Sequence, residues 1–332
     1  MRKVDYGKNV LEANTNTGRI RIHGNFNMTP KKEERAQNES KAKSNSSRLI
    51  PALLSAVFVA VIAVLYLTND IIPGPEFAIL VLLVYAVYSK KTWQFIRDWV
   101  PFLLIFVSYE TLNGLVGTVS KFNVHYGPYD FDMALFGGNS PNLILQHYLR
   151  SSILNFTGAF FYTIYFFVPT AFGFVVWMMY RNEFWKYTVS LGILTYTSLA
   201  TFLAYPVAPP WLNTALTSKG LTRILSSSVD KSLGVPAYKT LYDFLGPNLY
   251  AAFPSLHSAL PWLVFLFSFK LWKRKSLPVL VIPVGTWFSA VYLGEHYFTD
   301  VLGGILYATI AFGVAVKLVP PLTQRLRSLR KH

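Results

Sequence analysis

Two histidines and one aspartate stand out in this chain because each lies in a short polar stretch at the border of an apolar segment. His257 ends the stretch Pro-Ser-Leu-His at 254–257, and His296 and Asp300 lie within 294–304. The chain has no cysteine, which excludes thiolate nucleophiles, disulfides and zinc–thiolate sites. Any chemistry must therefore rest on these histidines, on carboxylates, on hydroxyls or on cationic side chains.

The spacing between His296 and Asp300 predicts an oriented imidazole. Residues four apart lie on one face of a helix, so Asp300 is expected to accept the Nδ1 proton of His296 and to leave Nε2 free as a nucleophile or base. His257, on a different helix, is expected to donate a proton to a departing oxygen. The Ser255 hydroxyl and the helix N-terminus beside it suit an anionic phosphate. These residues together favour phosphoryl transfer.

The elements that must position these residues are membrane-spanning helices. Of the 332 residues, 52% are hydrophobic and only 14% are charged, whereas about a quarter of positions carry charge in soluble domains. We predict an all-α, polytopic membrane helix bundle with about eight transmembrane helices, or six as the fallback. The predicted spans, each near the ~20 residues that cross a hydrocarbon core, are 49–67, 76–89, 99–118, 153–179, 187–205, 252–271, 277–295 and 298–317.

The distribution of Lys and Arg predicts the orientation. With the N-terminus in the cytoplasm, 25 of the 31 basic residues fall on the cytoplasmic side and six fall in two long outer loops, 119–152 and 206–251. Because basic residues in short flanks resist translocation, both termini are expected in the cytoplasm and the two histidines on the extracytoplasmic face. The formal net charge of +15 therefore reflects membrane topology and does not indicate a nucleic-acid partner. The membrane is predicted to be a prokaryotic plasma membrane or a eukaryotic endomembrane.

Composition divides the chain into four regions. Residues 1–48 are polar and basic, and we expect a disordered cytoplasmic tail there. Two N-terminal transmembrane helices follow in 49–93, the other six spans lie in 94–318, and 319–332 form a basic cytoplasmic tail. Glu110, inside the third span, is expected to face other helices or a wet cavity.

Both polar stretches resemble motifs of the type 2 phosphatidic acid phosphatase superfamily. Residues 254–257 are similar to its Pro-Ser-x-His motif, and Ser289 to Asp300 to its Ser-Arg-x5-His-x3-Asp motif, with the spacing of Ser289, His296 and Asp300 matching. The resemblance covers roughly residues 94–317. It implies a six-helix core and a metal-independent, cofactor-free mechanism in which His296 is phosphorylated, Asp300 orients it and His257 is the general acid.

Two departures from the superfamily pattern point to one of its branches. Ala290 stands where the phosphatases carry Arg, and no Lys-x6-Arg-Pro motif precedes residue 254. Instead, residues 205–211 (Tyr-Pro-Val-Ala-Pro-Pro-Trp), 135–138 and 248–252 resemble the inositol phosphorylceramide synthase branch, a group of lipid phosphotransferases.

The missing Arg requires another cation for the phosphate. The outer loop 206–251 offers four basic residues, of which Arg223 is the first choice: Lys219, Arg223, Lys231 and Lys239. The predicted substrate-binding set combines basic loop residues with motif residues: Ser255, Arg223, Lys219, Ser289 and Tyr250.

The catalytic residues leave several functions open. If an alcohol resolves the histidine-bound intermediate, the enzyme is a lipid phosphotransferase, which the branch resemblance favours. If water resolves it, the enzyme is a phosphatase that acts on phosphatidate or an isoprenyl phosphate. The same His, His and Asp would also serve a transporter as a polar relay or a divalent-metal enzyme as ligands, and a catalytically inactive scaffold is the last alternative.

Overall fold

Long apolar helices dominate the part of the chain that is described by this computed structural model. The described residues are 2–6, 9–14, 19–23, 82, 86, 89–120, 123–233 and 248–329. The predicted spans 49–67 and most of 76–89 lie outside them, as does the side chain of Glu110.

Three described helices are long and apolar enough to cross a membrane. They are α1, Thr92–Ser120, α6, Arg181–Ala204, and α11, Phe298–Leu329, whose apolar part is Phe298–Val319. A bent pair, α4 (Ser152–Ile164) and α5 (Val168–Met179), makes a fourth span if both halves are taken together. The protein is therefore an integral membrane protein, as predicted, with three to four candidate spans in its described part.

Eight transmembrane helices are not confirmed. The predicted span 153–179 is two helices at an angle of 47°. The predicted spans 252–271 and 277–295 correspond to α9, Leu256–Trp272, and α10, Val281–Tyr292, joined by a 3₁₀ segment, Lys273–Leu280. A helix of 12 residues such as α10 rises only about 18 Å, less than the ~30 Å hydrocarbon core.

Short helices fill the two loops that were predicted on the outer side. The first loop contains α2, Gly127–Leu135, and α3, Pro141–Leu149, separated by Gly137 and Gly138, which both have positive φ. The second contains α7, Thr214–Thr217, a π-helical turn, Leu225–Val229, and α8, Asp230–Leu233. A 3₁₀ turn, Pro210–Leu212, precedes α7.

The helix α11 lies at the centre of the packing. It contacts α6 and α9, while α1 packs on α6 and α10 packs on α4. Buried aromatic rings fill the space between α1 and α6, with Trp99 and Phe184 centroids 5.3 Å apart. This packing holds the N-terminal ends of α9 and α11 side by side, and these ends carry the two histidine motifs.

A buried carboxylate ties three helices together at the opposite end. Asp98 of α1 accepts two hydrogen bonds from Arg181, at 2.6 and 2.8 Å, and one from the Trp177 indole at 3.0 Å. A bidentate pair of this kind is stronger than a fully exposed ion pair, because its carboxylate is shielded from water although Arg181 is partly exposed.

The N-terminal region contains three short strands. The strands β1 (Arg2–Tyr6), β2 (Asn9–Asn14) and β3 (Arg19–His23) form an antiparallel sheet in the order β1-β2-β3 within the predicted tail 1–48. The alternation of Ile with basic residues across 19–23 has the period of two that strands require. In the register of β1 and β2, Tyr6 pairs with Asn9 and Arg2 with Ala13.

The helical backbone of α11 continues into the predicted C-terminal tail, as far as Leu329. The four-region division of the chain otherwise stays a prediction.

Candidate active site

The two histidines of the sequence motifs meet. His296 Nε2 lies 3.1 Å from His257 Nδ1, and the ring centroids are 5.1 Å apart. His257 is the second residue of α9, and His296 lies in the turn just before α11. Two imidazoles from separate helices thus face one small volume, as the motifs predicted.

A carbonyl oxygen sets the tautomer of His296. Its Nδ1 lies 3.0 Å from the backbone oxygen of Ala252, which can only accept, so Nδ1 carries the proton. In the neutral ring Nε2 then holds the lone pair and accepts a hydrogen bond from His257 Nδ1. Nε2 therefore carries the free lone pair of the ring, and another group can reach it only when the two rings part.

Asp300 is a more distant partner of His296 than predicted. Its Oδ2 lies 3.5 Å from His296 Nδ1, beyond the Ala252 oxygen. The prediction assumed that both residues share one helical face, but α11 begins at Phe298 and His296 precedes it. The carboxylate still lies close enough to stabilise a positive charge on the imidazole.

Asp300 also holds the start of α11. Its Oδ2 accepts the backbone N–H of Tyr297 at 2.8 Å, the reciprocal bond of a helix cap. Its own carbonyl accepts the N–H of Ser255 at 3.0 Å, which links the two motifs directly. The side chain is fully buried, and in the described structure its Oδ1 has no hydrogen-bond partner.

Aromatic rings hold His257 from the side. The Tyr162 ring stacks on the imidazole with centroids 4.0 Å apart at 12°, and the Tyr165 ring lies 3.9 Å away at 42°. Both tyrosines lie near the bend between α4 and α5. The contact of these two rings with His257 was not predicted from the sequence.

Two glycines allow the two motifs to approach, and a third is required by its backbone conformation. A Cβ on Gly304 would collide with the backbone oxygen of Ser255, and one on Gly303 would come within 2.5 Å of the Phe253 ring. Gly303 and Gly304 therefore allow α11 to pack closely against the segment 253–255. Gly294 has a φ of +82°, which side-chain-bearing residues rarely adopt.

Arg223, the first choice for the missing cation, is paired with the residue before His296. Its Nε lies 2.7 Å from Glu295 Oε1 and its Nη2 lies 3.3 Å from Oε2, while the guanidinium stacks 4.2 Å above the Trp211 ring. The structure therefore brings Arg223 next to the catalytic segment, but with its charge largely offset by Glu295.

The other predicted substrate-binding residues have varied surroundings. Ser255 is the N-cap of α9, and its buried hydroxyl accepts hydrogen bonds from Ser258. Ser289 is buried and donates to the Gly285 carbonyl one turn earlier. These hydroxyls serve local structure in the geometry described.

The remaining two predicted binding residues lie in the second outer loop. Tyr250 is half-buried in a turn, and its carbonyl accepts the N–H of Val207 at 2.8 Å. Lys219 is exposed just after α7. The structure brings neither side chain into a described contact with the histidines. Lys231 is an exposed residue within α8, and Lys239 lies outside the described residues.

Three buried polar residues of the first outer loop were missed: Asp132, Asn142 and Gln146. They bind backbone groups on both sides of His296. Burial raises the pKa of the Asp132 carboxyl above its ordinary value, against the hydrogen bonds from Thr299 and Phe298, which lower it. Burial likewise raises the pKa of the neighbouring Tyr297 phenol. Their sequence signal was weak, because polar residues in a loop normally face water.

The same geometry bears on the metal hypothesis. Across residues 89–120, 123–233 and 248–329, no group of three or more His, Asp or Glu side chains has an arrangement that would hold a metal ion. The two histidines point their facing nitrogens at each other instead.

Comparison with known proteins gives a consistent result. A family model described as PAP2 superfamily matches residues 131–314, just over half of the chain. The matched region includes both histidine motifs and the first outer loop from residue 131 onward. No solved structure matches the chain.

The curated relatives are lipid enzymes by name. An inositol phosphorylceramide synthase of Candida albicans is 29% identical over 129 residues, which is 37% of this chain and 27% of the relative. A phosphoinositol dihydroceramide synthase of Bacteroides thetaiotaomicron is 26% identical over 234 residues, 64% of this chain and 73% of the relative. The inositol phosphorylceramide synthase catalytic subunit aur1 of Schizosaccharomyces pombe is 27% identical over 147 residues, which is 42% of this chain and 35% of the relative. This chain thus spans about a third or less of the two fungal relatives.

Proposed function

Because the chain belongs to the PAP2 superfamily, we propose that it is a lipid phosphotransferase that moves a phosphate-containing headgroup from a phospholipid to an alcohol, through an intermediate bound to His296. The observation that carries this proposal is the contact between His296 Nε2 and His257 Nδ1 at 3.1 Å. The names of the relatives favour an inositol phosphate as the transferred group and a ceramide-type hydroxyl as the acceptor.

The proposed reaction has two steps. In the first, the Nε2 lone pair of His296 attacks phosphorus, the bond from phosphorus to the leaving oxygen breaks, and protonated His257 gives that oxygen a proton. In the second, the acceptor hydroxyl gives its proton to His257 and attacks phosphorus, and the phosphorus–nitrogen bond breaks. Asp300 stabilises the positive imidazole that exists while the phosphoryl group is attached. No metal ion takes part in this scheme.

Charge balance supports a phosphodiester donor over a phosphomonoester. A monoester carries up to two negative charges, whereas a diester carries one. Ala290 supplies no charge where the phosphatases carry Arg, and Glu295 offsets much of the charge of Arg223. A dianion such as phosphatidate would bring a second negative charge into a site partly shielded from water, where uncompensated charge is costly. The hydrolytic alternative is therefore the second candidate.

The substrate assay tests this proposal directly. Purified protein in lipid vesicles is given headgroup-labelled phosphatidylinositol with and without ceramide, and separately phosphatidate and an isoprenyl pyrophosphate. We expect labelled lipid product only when the alcohol acceptor is present, and we expect the rate to persist in EDTA. Free phosphate released from phosphatidate without acceptor dependence would contradict the transferase proposal, and loss of activity in EDTA would contradict metal independence.

We also propose the predicted orientation, with the site on the extracytoplasmic face and both termini in the cytoplasm. The helix α9 supports it, since His257 lies at its N-terminal end while the exposed Lys273, Arg274 and Lys275 follow its C-terminal end. Basic residues of this kind favour the cytoplasmic side.

Removal of the Arg223 charge is expected to weaken donor binding. Truncation of Arg223 alone would leave Glu295 buried without its partner, so the informative variant is the double change Arg223→Gln with Glu295→Gln. If the guanidinium turns to the phosphate when substrate binds, we expect KM for the donor to rise about 10-fold or more, which is the effect of losing one hydrogen bond to a charged group. The change in kcat is expected to be smaller.

Arg150→Ala is the matched control, because Arg150 is an exposed basic residue of the other outer loop. Steady-state kinetics and inhibition by inorganic phosphate are measured for both variants. An unchanged KM and unchanged phosphate inhibition in the double variant would assign the pair to structure alone.

A further inference from the structure

We infer that Asp132, Asn142 and Gln146 are positioning residues for catalysis, which together we call the loop clamp. The inference rests on the proposed function, because it concerns how the nucleophile His296 is held. All three side chains come from the first outer loop, on α2 and α3, and all are buried, with 2%, 0% and 6% of their surface exposed. None of them belongs to a histidine motif.

Asp132 caps the helix that carries Asp300. Its two carboxylate oxygens accept the N–H groups of Phe298 at 2.8 Å and Thr299 at 2.9 Å, and the Thr299 hydroxyl as well. These N–H groups belong to the first turn of α11, which has no partners for them within the helix. A carboxylate at this end is also favoured by the helix dipole. Asp132 therefore fixes where α11 begins, two residues after His296.

Asn142 holds the backbone of His296 itself. Its side-chain N–H₂ donates to the carbonyl of His296 at 2.9 Å and to that of Val291 at 2.7 Å. The N–H of His296 is bound in turn by the Ala290 carbonyl at 3.0 Å. Both backbone polar groups of the nucleophile are thus bound, one of them by a residue 154 positions away in the chain.

Gln146 extends the same contact to the second outer loop. Its side-chain nitrogen donates to the carbonyls of Tyr292 and Thr222, both at 2.9 Å, and its oxygen accepts the Thr222 N–H at 3.1 Å. Thr222 directly precedes Arg223. The loop clamp therefore connects the end of α10, the catalytic turn and the segment that carries the candidate phosphate-binding Arg.

The catalytic turn needs such an external support. Residues 293–297 lie between α10 and α11, so no continuous helical ladder holds them. Displacement of a reacting group by about 1 Å can cost about 10²-fold in rate. Because the loop clamp holds the backbone of His296, it determines the direction of the imidazole ring without touching the substrate.

The test is Asp132→Asn, with Asp130→Asn as the matched control on the same helix. An asparagine keeps the size but turns an N–H₂ group toward one of the two N–H donors, so one hydrogen bond becomes a repulsion. We expect kcat to fall about 10- to 100-fold, in line with a displacement of the nucleophile, while KM for the donor changes less than 2-fold. Asp130 is exposed, and its variant is expected to keep wild-type kinetics.

Thr299→Val keeps the inference testable if Asp132→Asn does not fold. It removes only the hydroxyl donor to Asp132, and we expect a 3- to 10-fold lower kcat with unchanged KM. A folded Asp132→Asn protein with wild-type kcat overturns the inference, and so does a Thr299→Val protein with wild-type kcat when Asp132→Asn fails to fold. A rise in KM with unchanged kcat also overturns it, because it would indicate substrate contact.

Wild-type behaviour separates this inference from the proposed function. Single-turnover labelling of the enzyme by the donor is measured for the wild-type protein alongside both variants. If the wild-type protein never acquires label, the result contradicts the proposed function itself. If the wild-type protein is labelled on His296 and the Asp132→Asn protein is labelled at the same rate, the result contradicts only the inference about the loop clamp.

Discussion

The His296→Gln variant is expected to lose acceptor-dependent transfer by at least about 10³-fold, because the proposed covalent route has no other nucleophile. Glutamine keeps a polar group near the Ala252 carbonyl but offers no basic lone pair where Nε2 lies 3.1 Å from His257. Residual turnover would have to come from direct attack of the alcohol on the bound donor, without a histidine-bound intermediate.

The measurement combines steady-state transfer with trapping of the intermediate. Enzyme mixed with donor labelled in the headgroup phosphate is quenched within one turnover, and the protein-bound label is tested for stability. Label on histidine is expected to be labile in acid and stable in base, and to be absent from His296→Gln.

His147→Gln is the matched control, since His147 is an exposed histidine of the first outer loop. This control is expected to retain both turnover and label. Near-normal turnover of His296→Gln, or label that persists in it, would show that another group is the nucleophile.

The proximity of the candidate site residues was predictable because the spacing within each motif is short and local. His257 and the pair of His296 and Asp300 each lie in a stretch of a few residues at the start of an apolar segment, and Gly303 and Gly304 follow directly. Such patterns constrain which end of a helix a side chain occupies. The meeting of the two histidines follows once two helices start on the same side of the membrane.

The hydrogen-bond partner of His296 was not predictable in the same way. Helical periodicity assigned its Nδ1 proton to Asp300, whereas the chain is not yet helical at His296 and the Ala252 carbonyl lies closer. A difference of two residues in the start of a helix rotates a side chain by more than half a turn. Sequence patterns do not locate helix ends that finely.

Long-range polar contacts are the other part that sequence reasoning missed. Asp132 reaches backbone groups 166 and 167 positions away, and Arg223 pairs with Glu295 at a separation of 72. A lone carboxylate or amide in an outer loop is indistinguishable by pattern from one that faces water. Only the folded arrangement reveals that these side chains are buried, and burial gives their hydrogen bonds consequences for the site.

The His257→Gln variant is expected to lose about 10²- to 10⁴-fold in transfer from a natural lipid donor, the usual range for a general acid. An alkoxide is a poor leaving group, and His257 is the described group that directly contacts the nucleophilic nitrogen and can give the departing oxygen a proton. A phosphodiester with a nitrophenol leaving group needs no proton at that step. The loss in labelling rate with such a donor is therefore expected to be less than about 10-fold, well below the range for a general acid.

This dependence on the leaving group separates proton donation from the alternative, in which His257 only supports the His296 ring. The two rings are hydrogen-bonded to each other, so loss of a mere support would slow both donors equally. Tyr162→Phe provides the matched comparison, because it keeps the ring that stacks on His257 at 4.0 Å and removes only the hydroxyl. Labelling by both donors is followed in single turnovers for the wild-type protein and the two variants. If His257→Gln slows labelling by both donors equally, His257 supports the His296 ring and is not the general acid. A selective loss of labelling with the lipid donor would assign the proton transfer to His257.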